Sequence, residues 1–241
     1  VKARIAVLPG DGIGPEVTAA AVSVLRAVAA RGGHEFHFSE HLIGGAAIDA
    51  QGDPLPAETL IVVKQADAVL LGAVGGPKWS DPGAKVRPEL GVFANLRPVK
   101  VHPRLANLSP LKNDRLTGVD VLFVRELTGG AYFGAKTRTP LQATDETKYT
   151  VMEIERVLRR AFTLARGRSR RVTSVDKANV LETSRLWRET AQRIAHEFPD
   201  VALEHQLVDS MAMLLLTRPA SYDVVVTENL FGDILTDEAA A

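Results

Sequence analysis

Cysteine is absent from this 241-residue chain, which removes disulfides, thiolate zinc sites and a cysteine nucleophile together. An excess of either charge is missing too. Lys+Arg and Asp+Glu stand at 29 each, so the chain has no overall field to gather nucleic acid or an anionic membrane. No apolar run approaches the length that spans a bilayer. Internal repeats and low-complexity segments do not occur. The first residues, VKARIAVLPGDG, enter a strand at once and leave no room for a signal peptide. The expectation is a soluble, cytoplasmic protein with neither nucleic acid nor membrane as partner. What remains is ordinary: 46% apolar and 24% charged residues, enough for one large core or two modest ones.

Short apolar runs alternate with helix-forming stretches. Ala3 to Leu8, Phe36 to Phe38, Ala68 to Leu71, Val92 to Val101, Val119 to Val124, Val172 to Val175, Val201 to Leu207 and Asp223 to Thr227 read as strands. Glu16 to Ala30, Leu55 to Gln65, Met152 to Arg166, Glu182 to Phe198 and Ser210 to Thr217 read as helices. This alternation predicts a doubly wound α/β layer. Glycines 10, 12 and 14 invite a dinucleotide-fingerprint reading, but the third glycine of G-x-G-x-x-G would fall on Pro15. Ala135 to Thr150 is polar and irregular, either a solvent loop or an arm reaching a second subunit. The basic turn Arg166 to Arg171 reads as a solvated helix end, and His205 as a satisfied structural residue.

Chemistry-bearing residues follow the strands: Arg97, Arg125, Tyr132, Lys177, Asn179, Asp209, Asp233 and Asp237. That is where an open α/β sheet places a site. Arg97 either caps a surface edge or points into a site that receives an anion; it and Arg125 could each clamp a carboxylate, while for each alone a structural salt bridge is the better reading. Glu228 to Gly232 reads as a loop with a helix from Asp233 onward. Asp233 and Asp237, four apart, then share one helix face. Two hard oxygen donors there suit Mg²⁺ or Mn²⁺. An aspartate near a helix start also serves as a cap, and the pair alone does not decide between the two.

LPGDGIGPEV at 8–17, GGAAID at 44–49, LLGAVGGPKW at 70–79, FANLRP at 93–98, VRELTGGAYFG at 124–134, VDKANVLE at 175–182 and FGDILTDEAA at 231–240 resemble the metal-dependent decarboxylating β-hydroxyacid dehydrogenases, the isocitrate/isopropylmalate dehydrogenase family. RELTGG and DKANVL are similar to its isopropylmalate branch. The resemblance implies a two-domain α/β fold that is not Rossmann. Residues 1–92 would be the first half of a cofactor-side domain, and 93–241 a central substrate, metal and dimerisation domain. Two departures stand out. The chain stops at Ala241, before the C-terminal segment that completes the cofactor-side domain in the family. Arg87-Pro88-Glu89 is followed by only Leu90-Gly91-Val92 before Phe93, where the family places a short Leu-rich helix with one more Arg. A break between Glu89 and Leu90 is therefore expected.

By the same resemblance, the chain oxidatively decarboxylates (2R,3S)-3-isopropylmalate to 4-methyl-2-oxopentanoate with NAD and Mg²⁺ or Mn²⁺, in leucine biosynthesis. Arg97 and Arg125 would hold carboxylates, with Asp209 also at the substrate. Lys177 would act as base with its pKa lowered beside the cation, and Tyr132 as acid. Asp209, Asp233 and Asp237 would hold the metal, and Gly76, Glu89 and Asn179 would line the NAD site. A homodimer would share its sites, Lys177 and Asp209 serving the neighbour. The rival readings are a relative acting on isocitrate, malate or tartrate, a Mg²⁺-dependent phosphatase or phosphotransferase, and a non-catalytic fragment.

Overall fold

Each parallel strand ends where a chemically capable loop begins, and the fold follows from how those strands are buried. The computed structural model describes residues 1–79 and 90–240. Glu89, the Glu89–Leu90 join and the rest of 80–89 lie outside the described residues. The chain divides into two compact units, Val1–Gly91 and Val92–Ala241.

In the first unit, β1 (Lys2–Gly10) lies between β2 (Glu35–Glu40) and β3 (Ala68–Ala73), all parallel. Ile5, Ala6, Val7 and Leu8 are all buried, as in a strand covered on both faces. Helix α1 (Gly14–Gly32) starts with Pro15 in its first turn, where a missing N–H costs nothing. Helices α2 (Gly45–Gln51) and α3 (Ala57–Gln65) complete the connections. Ala6, Leu8, Ile43, Leu55 and Val63 form the core.

The second unit holds five strands in the order β4 (Ala94–Lys100), β5 (Asp120–Glu126), β10 (Val224–Thr227), β8 (Arg171–Asp176), β9 (Ala202–Leu207). β4 runs antiparallel to β5 and the other pairings are parallel. Pro98 is tolerated because β4 is an edge. The short helix α4 (Asn113–Leu116) precedes β5. Helices α5 (Val151–Arg166) and α6 (Glu182–Ala195) bury one face of the sheet through Ile154, Phe162, Trp187 and Ile194 against Val124, Val172, Val224 and Val226. Helices α7 (Val208–Thr217) and α8 (Asn229–Ala239) bury the other through Met211, Leu215 and Leu235 against Val121, Phe123, Val175 and Val225. The two-residue alternation of the strands thus sorts side chains between two helical layers.

Three sequence expectations are corrected. The polar stretch after Gly134 carries a short hairpin, β6 (Lys136–Arg138) with β7 (Ala143–Asp145), exposed throughout. No hydrophobic period marks strands that bury nothing. Helix α8 begins at Asn229, not Asp233, with the Glu228 side chain capping it by accepting from the Phe231 N–H at 2.6 Å. His205 is not satisfied: among the described residues neither ring nitrogen has a hydrogen-bond partner, and burial pushes its pKa down. The basic turn is a solvated helix end as expected, with Arg166, Arg170 and Arg171 exposed, Arg166 paired with Asp200 and half-buried Arg168 with Asp223 and Asp120.

Candidate active site

Arg125 is the penultimate residue of β5 and points, like Phe123, toward α8. It is only 3% exposed, so its charge needs partners. Nε and Nη2 donate to Asn229 Oδ1 at 3.0 and 2.8 Å, and Nη1 donates to Asp233 Oδ1. Gly232 makes room for it. A Cβ there would sit 2.7 Å from Arg125 Cγ, which explains a glycine inside a helix despite its poor propensity.

Tyr132 closes the group. It lies in a single 3₁₀ turn, Gly130–Tyr132, and its hydroxyl donates to Asp233 Oδ2, with the Arg125 guanidinium carbon 5.5 Å from the ring centroid. The Asp233 hydrogen bond, aided by burial, raises the phenol pKa above its ordinary value, so Tyr132 keeps its proton at neutral pH. The turn is built by Glu126, which is fully buried and accepts from the backbone N–H of Thr128 and Gly129 at 2.8 Å. Behind it, Tyr149 O–H donates to Glu228 Oε2 at 3.2 Å, and the Asn229 N–H donates to the Tyr149 oxygen at 3.0 Å. Burial pushes the Glu228 carboxyl up.

At the end of β8, buried Asp176 accepts from Ala178 N–H at 2.9 Å and from Arg188 Nε and Nη2 at 2.9 and 2.8 Å. This fixes the turn that presents Lys177 and exposed Asn179. Lys177 Nζ donates to Asp209 Oδ1 in the first turn of α7, and that bond holds the Asp209 carboxyl below its ordinary pKa. Asp237 is exposed on α8, one turn beyond Asp233. Arg97 lies on β4, opposite Phe123 in register and therefore on the same sheet face as Arg125, where its Nε donates to Asn95 Oδ1 at 2.9 Å. The structure brings together Arg125, Tyr132 and Asp233, and separately Lys177 and Asp209. Among the described residues of this one chain, no three acidic or histidine side chains converge on a metal position. Asp233 and Asp237 nevertheless suit a hard divalent cation that takes few carboxylates and completes its shell with water and substrate oxygens. Asp233, a full turn inside α8, is no cap.

In the first unit, Gly76 lies in the loop after β3, beside Trp79. The organiser there is Asp11, which sequence reasoning passed over in favour of its glycine neighbours. It is 4% exposed and accepts from the backbone N–H of Gly45, Ala46 and Gly75 at 2.8, 2.7 and 2.9 Å. Burial works to raise its carboxyl, but the three donors outweigh it and hold the pKa below the ordinary value. Asp11→Ala or Asp11→Asn should cost about 2–4 kcal/mol at neutral pH, because one buried and two half-buried N–H groups lose a charged acceptor. Because the folded pKa is depressed, this contribution is complete above the ordinary carboxylate range and is lost as pH falls through the folded value. Urea unfolding should therefore separate wild type from either variant at pH 7, with a gap that narrows as the pH falls below about 4. A constant gap across that range would contradict the assignment.

The sequence profile of isocitrate/isopropylmalate dehydrogenase matches residues 4–241. The chain belongs to the isocitrate/isopropylmalate dehydrogenase family. It is 59% identical over 254 aligned positions to 3-isopropylmalate dehydrogenase of Anaeromyxobacter dehalogenans, covering 100% of this chain and 72% of that protein. It is 58% identical to the 3-isopropylmalate dehydrogenase of Geobacillus kaustophilus, covering 98% and 68%. An alignment of 254 positions exceeds this chain's 241 residues, so the relative carries residues with no counterpart here. Among solved structures, isocitrate dehydrogenase from Methylococcus capsulatus superposes with a TM-score of 0.84 at 34% identity, over 98% of this chain and 70% of that one. The TT0538 protein from Thermus thermophilus superposes with 0.87 at 30% identity, and this chain spans less than half of it, 47%.

None of Arg97, Arg125, Tyr132, Lys177, Asp209, Asp233 and Asp237 lines the largest of the cavities described among these residues. That cavity, about 450 Å³, is lined chiefly by Val99, Val101, Leu111, Leu116 and Leu215 at the opposite end of β5. Lys100, His102, Ser109 and Glu238 also line it. No helix among the described residues is long and apolar enough to cross a membrane.

Proposed function

We propose that the chain carries the substrate and metal half of an NAD-dependent dehydrogenase that oxidises and decarboxylates (2R,3S)-3-isopropylmalate to 4-methyl-2-oxopentanoate, a step of leucine biosynthesis in the cytoplasm. The observation that carries this reading is the convergence of Arg125, protonated Tyr132 and Asp233 in a chain 59% identical to a 3-isopropylmalate dehydrogenase. Arg97 and Arg125 are the carboxylate clamps. Asp209, Asp233 and Asp237 would hold Mg²⁺ or Mn²⁺, and Gly76, Glu89 and Asn179 would line the NAD site. When bound, NAD supplies the hydride acceptor, and the cation supplies a Lewis acid at the hydroxyl and its neighbouring carboxylate.

The chain's own groups move the protons. Lys177 takes the proton of the C2 hydroxyl as the alcohol becomes a ketone, and Tyr132 returns one to the carbon that has lost CO₂. Lys177 is engaged here by Asp209, the carboxylate assigned to the metal. Asp209 would hold the cation, and its ion pair with Lys177 places the amine beside that position. Helices α7 and α8 expose Met213, Leu216, Leu230 and Ile234, and the β6–β7 hairpin exposes Leu141 at its tip. These apolar groups support a homodimer in which each copy lends Lys177 and Asp209 to the other.

A substrate panel tests the reading against isocitrate, malate and tartrate. Isopropylmalate should be turned over about tenfold or more better than each, as apolar pocket discrimination allows. Equal or better turnover of another diacid would move the chain to that branch of the family.

A further inference from the structure

Asn229 is 0% exposed at the start of α8, with both halves of its amide engaged. Its Oδ1 receives Arg125 Nε at 3.0 Å and Nη2 at 2.8 Å, and its Nδ2 donates to the Gly129 carbonyl at 3.2 Å. The amide orientation is dictated by these neighbours: reversing it would set NH₂ against a guanidinium and oxygen against a carbonyl. Its own backbone is anchored by Tyr149, which in turn bonds Glu228. The guanidinium is thus held along one edge by a rigid, neutral acceptor. Asp233 takes a third N–H.

The neutrality matters as much as the geometry. A second carboxylate in place of the amide would hold the same plane but compensate the guanidinium charge within the protein, leaving less for an incoming carboxylate. We propose that Asn229 is a positioning residue for substrate recognition, a neutral brace that fixes the plane of Arg125 and reserves its charge for a substrate carboxylate. This rests on Arg125 being a carboxylate clamp of the dehydrogenase proposed above.

The test uses the purified dehydrogenase with Asn229→Ala, Asn229→Asp, Arg125→Lys and the double variant Asn229→Ala/Arg125→Lys. Both single changes at Asn229 should raise KM for isopropylmalate about tenfold or more and leave KM for NAD within about twofold, since a lost clamp acts on substrate binding. In the Arg125→Lys background, Asn229→Ala should add less than about threefold, because a residue acting through the guanidinium has nothing left to hold. Asn229→Asp keeps the side-chain shape, so it reports even if the alanine variant folds poorly. Unchanged KM for isopropylmalate in both single variants overturns the proposal, as does the same fold-change with and without Arg125. Wild-type enzyme that fails to turn over isopropylmalate would instead remove the functional reading beneath it.

Discussion

Lys177→Met should lose NADH formation from isopropylmalate by about 10²–10⁴-fold, the usual range for a missing general base, whereas Tyr132→Phe should retain part of it. The two side chains sit on different strand ends and face different partners. Lys177 follows β8 and meets Asp209, while Tyr132 follows β5 and meets Asp233 and Arg125. Methionine matches the length of the lysine stem and removes only the amine, so substrate still binds and hydride transfer stalls for want of a proton acceptor. Phenylalanine keeps the ring against Arg125 and removes the hydroxyl whose pKa Asp233 raises. In that variant the 2-oxo diacid should form and lose CO₂, and protonation of the resulting carbon should become slow. Assaying reduction and decarboxylation of the 2-oxo diacid separately from overall turnover resolves the two steps. Equal losses in every assay for both variants would mean that the proton roles are misassigned.

Much of this was readable from residue patterns, and the failures have physical causes. The strand cores announced themselves as runs such as Val119 to Val124 because two helical layers bury both faces. Candidate residues clustered after those runs for the same reason: parallel strands deliver their ends to one edge of the sheet. The start of α8 was misread because Gly232 and the polar Glu228–Asn229 pair look like a loop. The glycine is there to admit Arg125, and the polar pair caps the helix and braces the arginine. Asp11 and Glu126 escaped for a related reason. Each is a buried carboxylate whose partners are backbone N–H groups from loops, and a sequence does not show which N–H groups a fold turns toward one side chain. The β6–β7 hairpin has no buried face and so no period to find.

Mixing two inactive variants, Asp209→Ala and Asp233→Ala, should restore about a quarter of wild-type activity. Equal mixing with free exchange puts half of the chains into heterodimers, and each heterodimer assembles one intact site of two. The expectation arises from what one chain does with its carboxylates. Asp233 is bound by Arg125 and Tyr132, Asp209 is bound by Lys177, and no third acidic or histidine group joins either among the described residues. On the proposed reading, the carboxylates on α7 and α8 that serve one cation come from two copies. Each variant alone should lose most activity, because removing one of three anionic ligands weakens both metal affinity and the orientation of substrate. Exchange can be demonstrated with copies of different mass. Exchange without recovery would place all three ligands on one chain or remove Asp209 from the site.

The central claim is that these residues serve an oxidation coupled to loss of CO₂. Its most direct measurement is the stoichiometry of the reaction: NADH by absorbance, CO₂ by release of label from the carboxylate on the isopropyl-bearing carbon, and 4-methyl-2-oxopentanoate by mass spectrometry, in one time course with Mn²⁺ present. Equal amounts of all three products are expected, with formation stopping when the cation is chelated. NADH without CO₂, or no NADH from isopropylmalate at all, would contradict it.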